Sequence, residues 1–204
     1  RYIGSVEELR SLAPAGNECF TFDGNLAIGR FGHDAPISDL ENLDPLSRLT
    51  GDLHISSNPD LKSLEALASL KSVGGDLYVE RNPTLTDLEG LQNLIHVGGS
   101  LIVADNQALS RLESLHNLIR LDGFLSIYEN PGLTSLEGLH NLTQVSGRVG
   151  VSDCENLTDL AGLRSLSTSG HLSVSGNPKL VSLAGLQQLS SIGGGLYVRE
   201  NDSQ

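Results

Sequence analysis

The sequence predicts a mainly β, right-handed parallel solenoid built from coils of about 24 residues. Short apolar-x-apolar segments begin at positions 53, 77, 101, 125, 149, 172 and 196, so every step is 24 residues except one of 23. Between these segments apolar residues recur at every third position, as at Leu85, Leu88, Leu91, Leu94 and Val97. Repeats of this kind cannot bury an apolar face alone, and stacked neighbours complete one shared core.

Composition agrees with such a core and excludes several partners. Aromatic residues make up only 4% of the 204 residues, with no Trp and no Met, so Leu and Val at repeated positions must fill the interior. The net charge of −12 disfavours nucleic acid and anionic membrane surfaces, because both are negatively charged. No apolar run approaches the length of a membrane span, so we expect no membrane insertion within this chain.

The elements follow one another along a single solenoid domain, residues 1–204. Residues 1–25 form an amino-terminal cap, in which Ser5 and Glu8 have capping-box spacing and Val6, Leu9 and Leu12 fit the inner face of a short helix. Residues 26–52 form a first, irregular coil, 53–195 six regular coils, and 196–204 an incomplete last coil. This uncapped edge predicts further repeats or an end-to-end contact.

Each regular coil begins as a short strand with alternating faces. Five positions after its first apolar residue stands an Asn, or a Cys in one coil, and these residues are predicted to form a buried polar ladder along the stack. Pro follows this position in four coils and ends the strand. An inward amide can satisfy backbone groups exposed at the turn. In the fifth coil a cysteine fits the same slot as a small buried residue, and it lies too many layers from Cys19 for a disulfide. The ladder residues are Asn58, Asn82, Asn106, Asn130, Cys154, Asn177 and Asn201.

The period of three beyond the ladder suits extended bends and 3₁₀ turns. Glycines recur there at one point, where the chain must turn tightly: Gly90, Gly138, Gly162 and Gly185. About eight short strands should then form the main sheet.

Outward strand positions supply the candidate ligand site. Tyr78, Ile102, Phe124 and Tyr128 should lie within about 10–15 Å of one another on neighbouring strands. Exposed apolar patches rimmed by polar groups mark interaction sites, although outward aromatics also favour strands through cross-strand pairing alone. The predicted ligand-binding residues are Tyr78, Ile102, Phe124, Tyr128, His54, Glu80 and Arg148.

Two other groups of residues on this face give weaker indications of a functional site. Asp52, His54, Asp76 and Glu80 lack a recognised metal-ligand spacing and indicate a solvated acidic face, so neither a metal nor a cofactor is predicted. The fifth coil combines Gly150 in its strand with Cys154 and a one-residue deletion near Thr168. Either a kink shapes a site there or one repeat has drifted.

Two motifs point to a family. The Leu-x-Val strand followed by Asn or Cys resembles the leucine-rich repeat, and the segment CFTFDGNLAI from Cys19 to Ile28 resembles the opening of receptor L domains. Units such as GDLYVERNP and LTSLEGL are similar to those of L-domain-like surface proteins of microbes. The resemblance covers essentially the whole chain. It implies an L-domain solenoid and an extracellular or cell-surface, secreted setting.

Three functions remain open. The leading hypothesis is a non-catalytic recognition or adhesion module that binds a protein or a glycan at the cell surface through its sheet face. The alternative is a structural cell-surface or wall spacer without a discrete ligand. A polysaccharide-acting enzyme on a solenoid needs clustered carboxylates with Lys or Arg along a groove. No such cluster and no nucleophile–base pair stands out, so no catalytic residue is predicted.

Overall fold

The computed structural model describes residues 2–3, 19–29, 37–38, 40 and 43–201 of the chain. In these residues it is a parallel β-solenoid of about seven turns, and the predicted fold class is confirmed. The predicted cap helix built on Ser5 and Glu8 lies outside the described residues.

Strands from successive coils pair in parallel and form one long row on a single face of the solenoid. The pairing follows the repeat: Leu77 stands opposite Leu53 on one side and Leu101 on the other. A strand at Tyr2–Ile3 extends the row before the first predicted coil. The row consists of β1 (Tyr2–Ile3), β3 (Leu26–Gly29), β5 (Leu53–Ser56), β7 (Leu77–Glu80), β9 (Leu101–Ala104), β11 (Leu125–Tyr128), β12 (Gln144–Ser152), β13 (Thr168–Ser175) and β15 (Leu196–Arg199).

A second row of short parallel strands, which the sequence pattern did not predict, runs along the adjoining face. Its members are β2 (Phe20–Phe22), β4 (Leu46–Leu49), β6 (Ser72–Val73), β8 (His96–Val97), β10 (Arg120–Leu121) and β14 (Ser191–Ile192), with the first residues of β12 and β13. Strands β12 and β13 continue through the corner and join both rows. The one-residue deletion lies at this corner, where the register shifts between Ser169 and His171.

The core consists of identical layers of leucine and valine. Inward strand residues such as Leu101 and Val103, and period-three residues such as Leu109, Leu112 and Leu115, are fully buried. Each buried Leu contributes roughly 1.5–3 kcal/mol relative to exposure, so the repeated layers hold the coils together. The last coil differs, since inward Leu196 is 57% exposed and Val198 41%.

The ladder positions are hydrogen-bonded from coil to coil. The backbone N–H of Asn82 donates to Oδ1 of Asn106 at 3.1 Å, and Nδ2 of Asn106 donates to the carbonyl of Val79 at 2.9 Å. Asn58, Asn106 and Asn177 form equivalent bonds to the following Asn. The residue before each ladder position has a left-handed backbone, even where it is not glycine, as at Arg81 (φ 56°). That turn directs the next side chain inward.

Cys154 occupies the same slot as a fully buried residue. Its N–H donates to Oδ1 of Asn177 at 3.0 Å, and its thiol donates to the carbonyl of Ser152 at 3.4 Å. Burial raises the pKa of the thiol to about 11, against a smaller lowering by the Asn130 backbone hydrogen bond. Cys154 and Cys19 are both free, Cys19 being exposed.

The connecting segments alternate between two conformations. Coils with the 3₁₀ helices Glu65–Leu67, Glu113–Leu115 and Ala161–Leu163 alternate with coils that turn through Gly90, Gly138 or Gly185 at φ between 110° and 115°. Gly162 lies inside a 3₁₀ helix and does not share this positive φ. At all four glycines a Cβ would collide with a carbonyl oxygen of the preceding coil, which explains the absence of a side chain.

Candidate functional site

At the end of the main row that bears Asp52, Asp76 and Glu80, which we call the acidic end, outward side chains contact one another. The rings of His54 and Tyr78 stack with centroids 4.2 Å apart and planes within 10°. The Tyr78 hydroxyl donates to Oδ2 of Asp76 at 3.0 Å. The pKa of Tyr78 rises to about 12, first through burial and then through the hydrogen bond to Asp76 and the charges of Asp76, Asp52 and Glu80. These half-buried rings therefore pack against each other across two neighbouring strands.

Outside the core, side chains just before the strands accept backbone N–H groups of the next coil and form a second ladder, which we call the outer ladder. Oδ1 of Asp52 accepts the N–H of Asp76 at 2.9 Å, and Oδ1 of Asp76 accepts the N–H of Ser100. Oγ of Ser100 accepts the N–H of Phe124 at 3.2 Å. The two aspartates therefore have a structural role. Among the described residues no group of three or more His, Cys, Asp or Glu is arranged to hold a metal ion.

The centre of the predicted ligand-binding patch, around Ile102, is covered by neighbouring side chains. Ile102 is only 5% exposed, although it was expected to be an exposed contact, and Ala104 is 1% exposed. Ile102 stands in register with Tyr78 and Ser126, and side chains on strands about 4.8 Å away cover a residue in the middle of the sheet. Glu80 is also largely covered and lies 3.7 Å from Arg81. The expectation that Ile102 is available to a ligand is corrected.

Beyond this covered centre the outer ladder is interrupted at Phe124 and Arg148 and resumes at His171, which accepts the N–H of Gly195. Phe124 follows Ser100 in the ladder column and Arg148 follows Phe124, but neither side chain can accept a backbone N–H. Phe124 is 43% exposed, and Arg148 is also exposed. These two of the predicted residues remain free to meet a ligand, whereas Tyr128 is half-buried at the far end of its strand.

Two adjoining depressions lie on this open half, and Arg148 belongs to both. The first, of about 320 Å³, is lined by Phe124, Leu125, Ser126, Arg148, Gly150, Val151 and Ser152. The second, of about 300 Å³, is lined by Arg148, His171, Ser173, Tyr197 and Arg199. We call this pair of depressions the basic trough.

Gly150 opens the trough because it lacks a side chain at the outward position of β12. A Cβ there would meet only the Arg148 side chain, with Nε at 3.5 Å. The irregular fifth coil thus coincides with a depression in the sheet face. Sequence reasoning did not assign Ser126, Gly150, His171, Tyr197 or Arg199 to the site, although the fifth-coil irregularity pointed to this region.

The geometry agrees with the family comparison. Residues 18–113 match the Receptor L domain family. The resemblance inferred from the Cys19–Ile28 segment is confirmed by this match, which covers just under half of the chain. No curated protein and no solved structure matches the chain.

Receptor L domains form a non-enzymatic, ligand-binding family of extracellular receptor ectodomains. The match ends at residue 113, so the acidic end of the main row lies within it and the basic trough lies beyond it. In the part of the chain that the structure describes, no helix is long and apolar enough to span a membrane.

Proposed function

We propose that this chain is a non-catalytic recognition module that binds a protein or glycan ligand on its main sheet face, at the basic trough. The observation that carries the proposal is the interruption of the outer ladder at Phe124 and Arg148. Neighbouring coils use this position to hold the sheet together. Here the same position bears an exposed aromatic ring and an exposed guanidinium beside a depression.

The family match supports an extracellular setting. L domains occur in extracellular ectodomains, so we place the module outside the cell or at its surface. Continuous strand pairing from β3 to β15 supports one solenoid domain. The structural spacer remains the competing function, and it requires no open, charged depression on the sheet. A role as a polysaccharide-acting enzyme has no supporting carboxylate cluster in the trough.

The test fills the trough without disturbing the core. Gly150→Leu places a side chain in the first depression, and the nearest atoms belong to the flexible Arg148 side chain. The matched control is Ala27→Leu, because Ala27 occupies the corresponding outward position of β3. Both proteins and the wild type are immobilised and probed with cell-surface extract and with a panel of polysaccharides. Circular dichroism checks that all three are folded.

A recognition module should retain its ligand in the wild type and Ala27→Leu but lose it in Gly150→Leu. Equal capture by all three proteins, or no capture by any, would contradict a ligand site at the trough and favour the spacer. Replacing Tyr78 or Ile102 would be a poorer test, since both side chains help to hold the sheet.

A further inference from the structure

Charge is divided between the two halves of the main sheet face. Outward residues of the earlier coils include Asp52, Asp76 and Glu80. On the last four strands, β11, β12, β13 and β15, no described outward residue is acidic. Their outward positions form three rows across the strands: Phe124, Arg148, His171 and Gly195; Ser126, Gly150, Ser173 and Tyr197; Tyr128, Ser152, Ser175 and Arg199. This half is basic in a chain whose net charge is −12.

The two arginines of the trough have no carboxylate partner among the described residues. Other arginines do, as Arg120 pairs with Asp122 at 2.9 Å and Arg164 with Glu137 at 2.6 Å. Glu129, Asp153 and Glu200 lie just beyond the third row, and none of them forms an ion pair with the trough arginines within the described part of the chain. The guanidinium groups therefore remain available for an external anion.

His171 and Tyr197 shape the other end of the trough. Nδ1 of His171 accepts the N–H of Gly195 at 2.9 Å, so in the neutral ring Nε2 carries the proton and is a donor. Gly195 leaves room for the Tyr197 ring, which lies on β15, the last described strand of the row. The Arg199 guanidinium lies 5.5 Å from the centroid of that ring. Positive charge and an aromatic face thus occur together.

The shape of the trough suits a chain of sugar rings. Its four strands span three spacings, about 14 Å, between the exposed rings of Phe124 and Tyr197. The floor between them is formed by the half-buried Ser126 and by Gly150, with the buried Ser173, only 7% exposed, beside them. Serine hydroxyls can both donate to and accept from sugar hydroxyls, and aromatic rings pack against the apolar faces of sugars.

A peptide fits this surface less well. Strands β11, β12 and β13 are paired on both sides, so among the described strands of the trough an extended peptide could add only along β15, which pairs with β13 alone, and not across the floor. An acidic peptide could pair with the arginines but does not offer a row of flat saccharide faces to the rings of Phe124 and Tyr197.

We propose that the basic trough binds an acidic polysaccharide, with Arg148 and Arg199 contacting its carboxylate or sulfate groups and Phe124 and Tyr197 contacting its sugar rings. This inference rests on the proposed function and adds the chemical class of its ligand. The overall charge of −12 opposes adsorption of any polyanion elsewhere, so binding reports on the trough.

The experiment measures affinity by titration calorimetry at about 0.15 M salt, where charges more than about 8 Å apart are screened. The probes are polygalacturonate as the carboxylated saccharide, dextran sulfate as the sulfated one, dextran as the neutral one and poly-L-glutamate as the acidic peptide. Wild type is compared with the double variant Arg148→Gln/Arg199→Gln. The control is Lys62→Gln/Lys71→Gln, which removes the same charge at exposed positions far from the trough.

We expect at least one acidic saccharide to bind the wild type and the lysine control equally. The arginine variant should bind it about tenfold more weakly or worse, because charged hydrogen bonds are lost. Preference for polygalacturonate or for dextran sulfate identifies the anionic group. Binding of neither, equal weakening in the lysine control, or equally tight binding of dextran or poly-L-glutamate would overturn the inference. The proposed function fails separately, if Gly150→Leu leaves every captured ligand in place.

Discussion

Replacing Asn106 by alanine tests whether the inner ladder stabilises the solenoid. Asn106 is fully buried in the middle of the stack. Its Oδ1 accepts the backbone N–H of Asn82 at 3.1 Å and Nδ2 of Asn82 at 3.4 Å. Its own Nδ2 donates to the carbonyl of Val79 at 2.9 Å and to Oδ1 of Asn130 at 3.3 Å. Alanine removes all four bonds and leaves the groups of the preceding coil buried.

Most of the loss in stability comes from the buried N–H of Asn82, which is left without an acceptor. A buried N–H without an acceptor costs about 1–3 kcal/mol, and each lost hydrogen bond contributes about 1 kcal/mol. We therefore expect Asn106→Ala to lower the free energy of unfolding by about 3 kcal/mol. For a chain of this size that corresponds to a fall in Tm of roughly 6–12 °C.

Urea unfolding followed by circular dichroism measures the difference, with Asn93→Ala as the matched control. Nδ2 of Asn93 also donates to a carbonyl of the preceding coil, that of Ala68 at 2.8 Å, but this bond is exposed to water. Water replaces it, so the control should lose less than about 1 kcal/mol. Asn106→Cys should fall between the two, because Cys154 occupies this slot in the fifth coil. If Asn106→Ala costs no more than Asn93→Ala, the ladder does not stabilise the fold as argued.

Three further measurements test particular residues. Gly138→Ala should lower the free energy of unfolding in urea by more than about 3 kcal/mol, since φ is 110° and a Cβ would collide with a backbone carbonyl. The control Gly150→Ala should change it by less than about 0.5 kcal/mol. Similar values for the two variants would contradict this reasoning. The pKa of Cys154 is raised from 9.0 to about 11, so the native state keeps its proton longer than the unfolded state and stability should decrease as pH rises through that interval. A Cys154→Ser variant that shows the same decrease would refute the assignment. Tyr78 has a pKa of about 12, so Tyr78→Phe should remove the last part of the phenolate absorbance titration, and an unchanged curve would exclude it.

Periodicity was sufficient to predict the main row of strands. The strands beginning at Leu53, Leu77, Leu101, Leu125 and Leu196 start where the spacing indicates, whereas β12 and β13 begin earlier because they continue through the corner from the second row. The second row was not predicted, because strands of two residues such as Ser72–Val73 are too short to differ from bends in an apolar pattern. Its signal is the apolar residue at the same place in each coil, such as Val73 and Val97, which also serves the period of three.

The candidate site was predicted only in part. Phe124 and Arg148 are exposed at the trough, but Ile102 is buried and Tyr78 is held by His54 and an aspartate. Alternation along a strand identifies which side chains point outward. It does not indicate whether the neighbouring strands cover them, since those neighbours lie about 24 positions away in the sequence.

The sequence by itself determined the coil length, the inward leucine and valine layers and the direction of each strand residue, because these depend on a local pattern that repeats. Tertiary structure decided which outward side chains are covered or hydrogen-bonded by neighbouring coils and which remain exposed. It also decided the alternation between 3₁₀ helices and glycine turns: Gly162 has the same residue type as Gly138 yet lies in a 3₁₀ helix. Each coil packs against the carbonyls of the coil before it, so its conformation depends on a neighbour that local sequence does not describe.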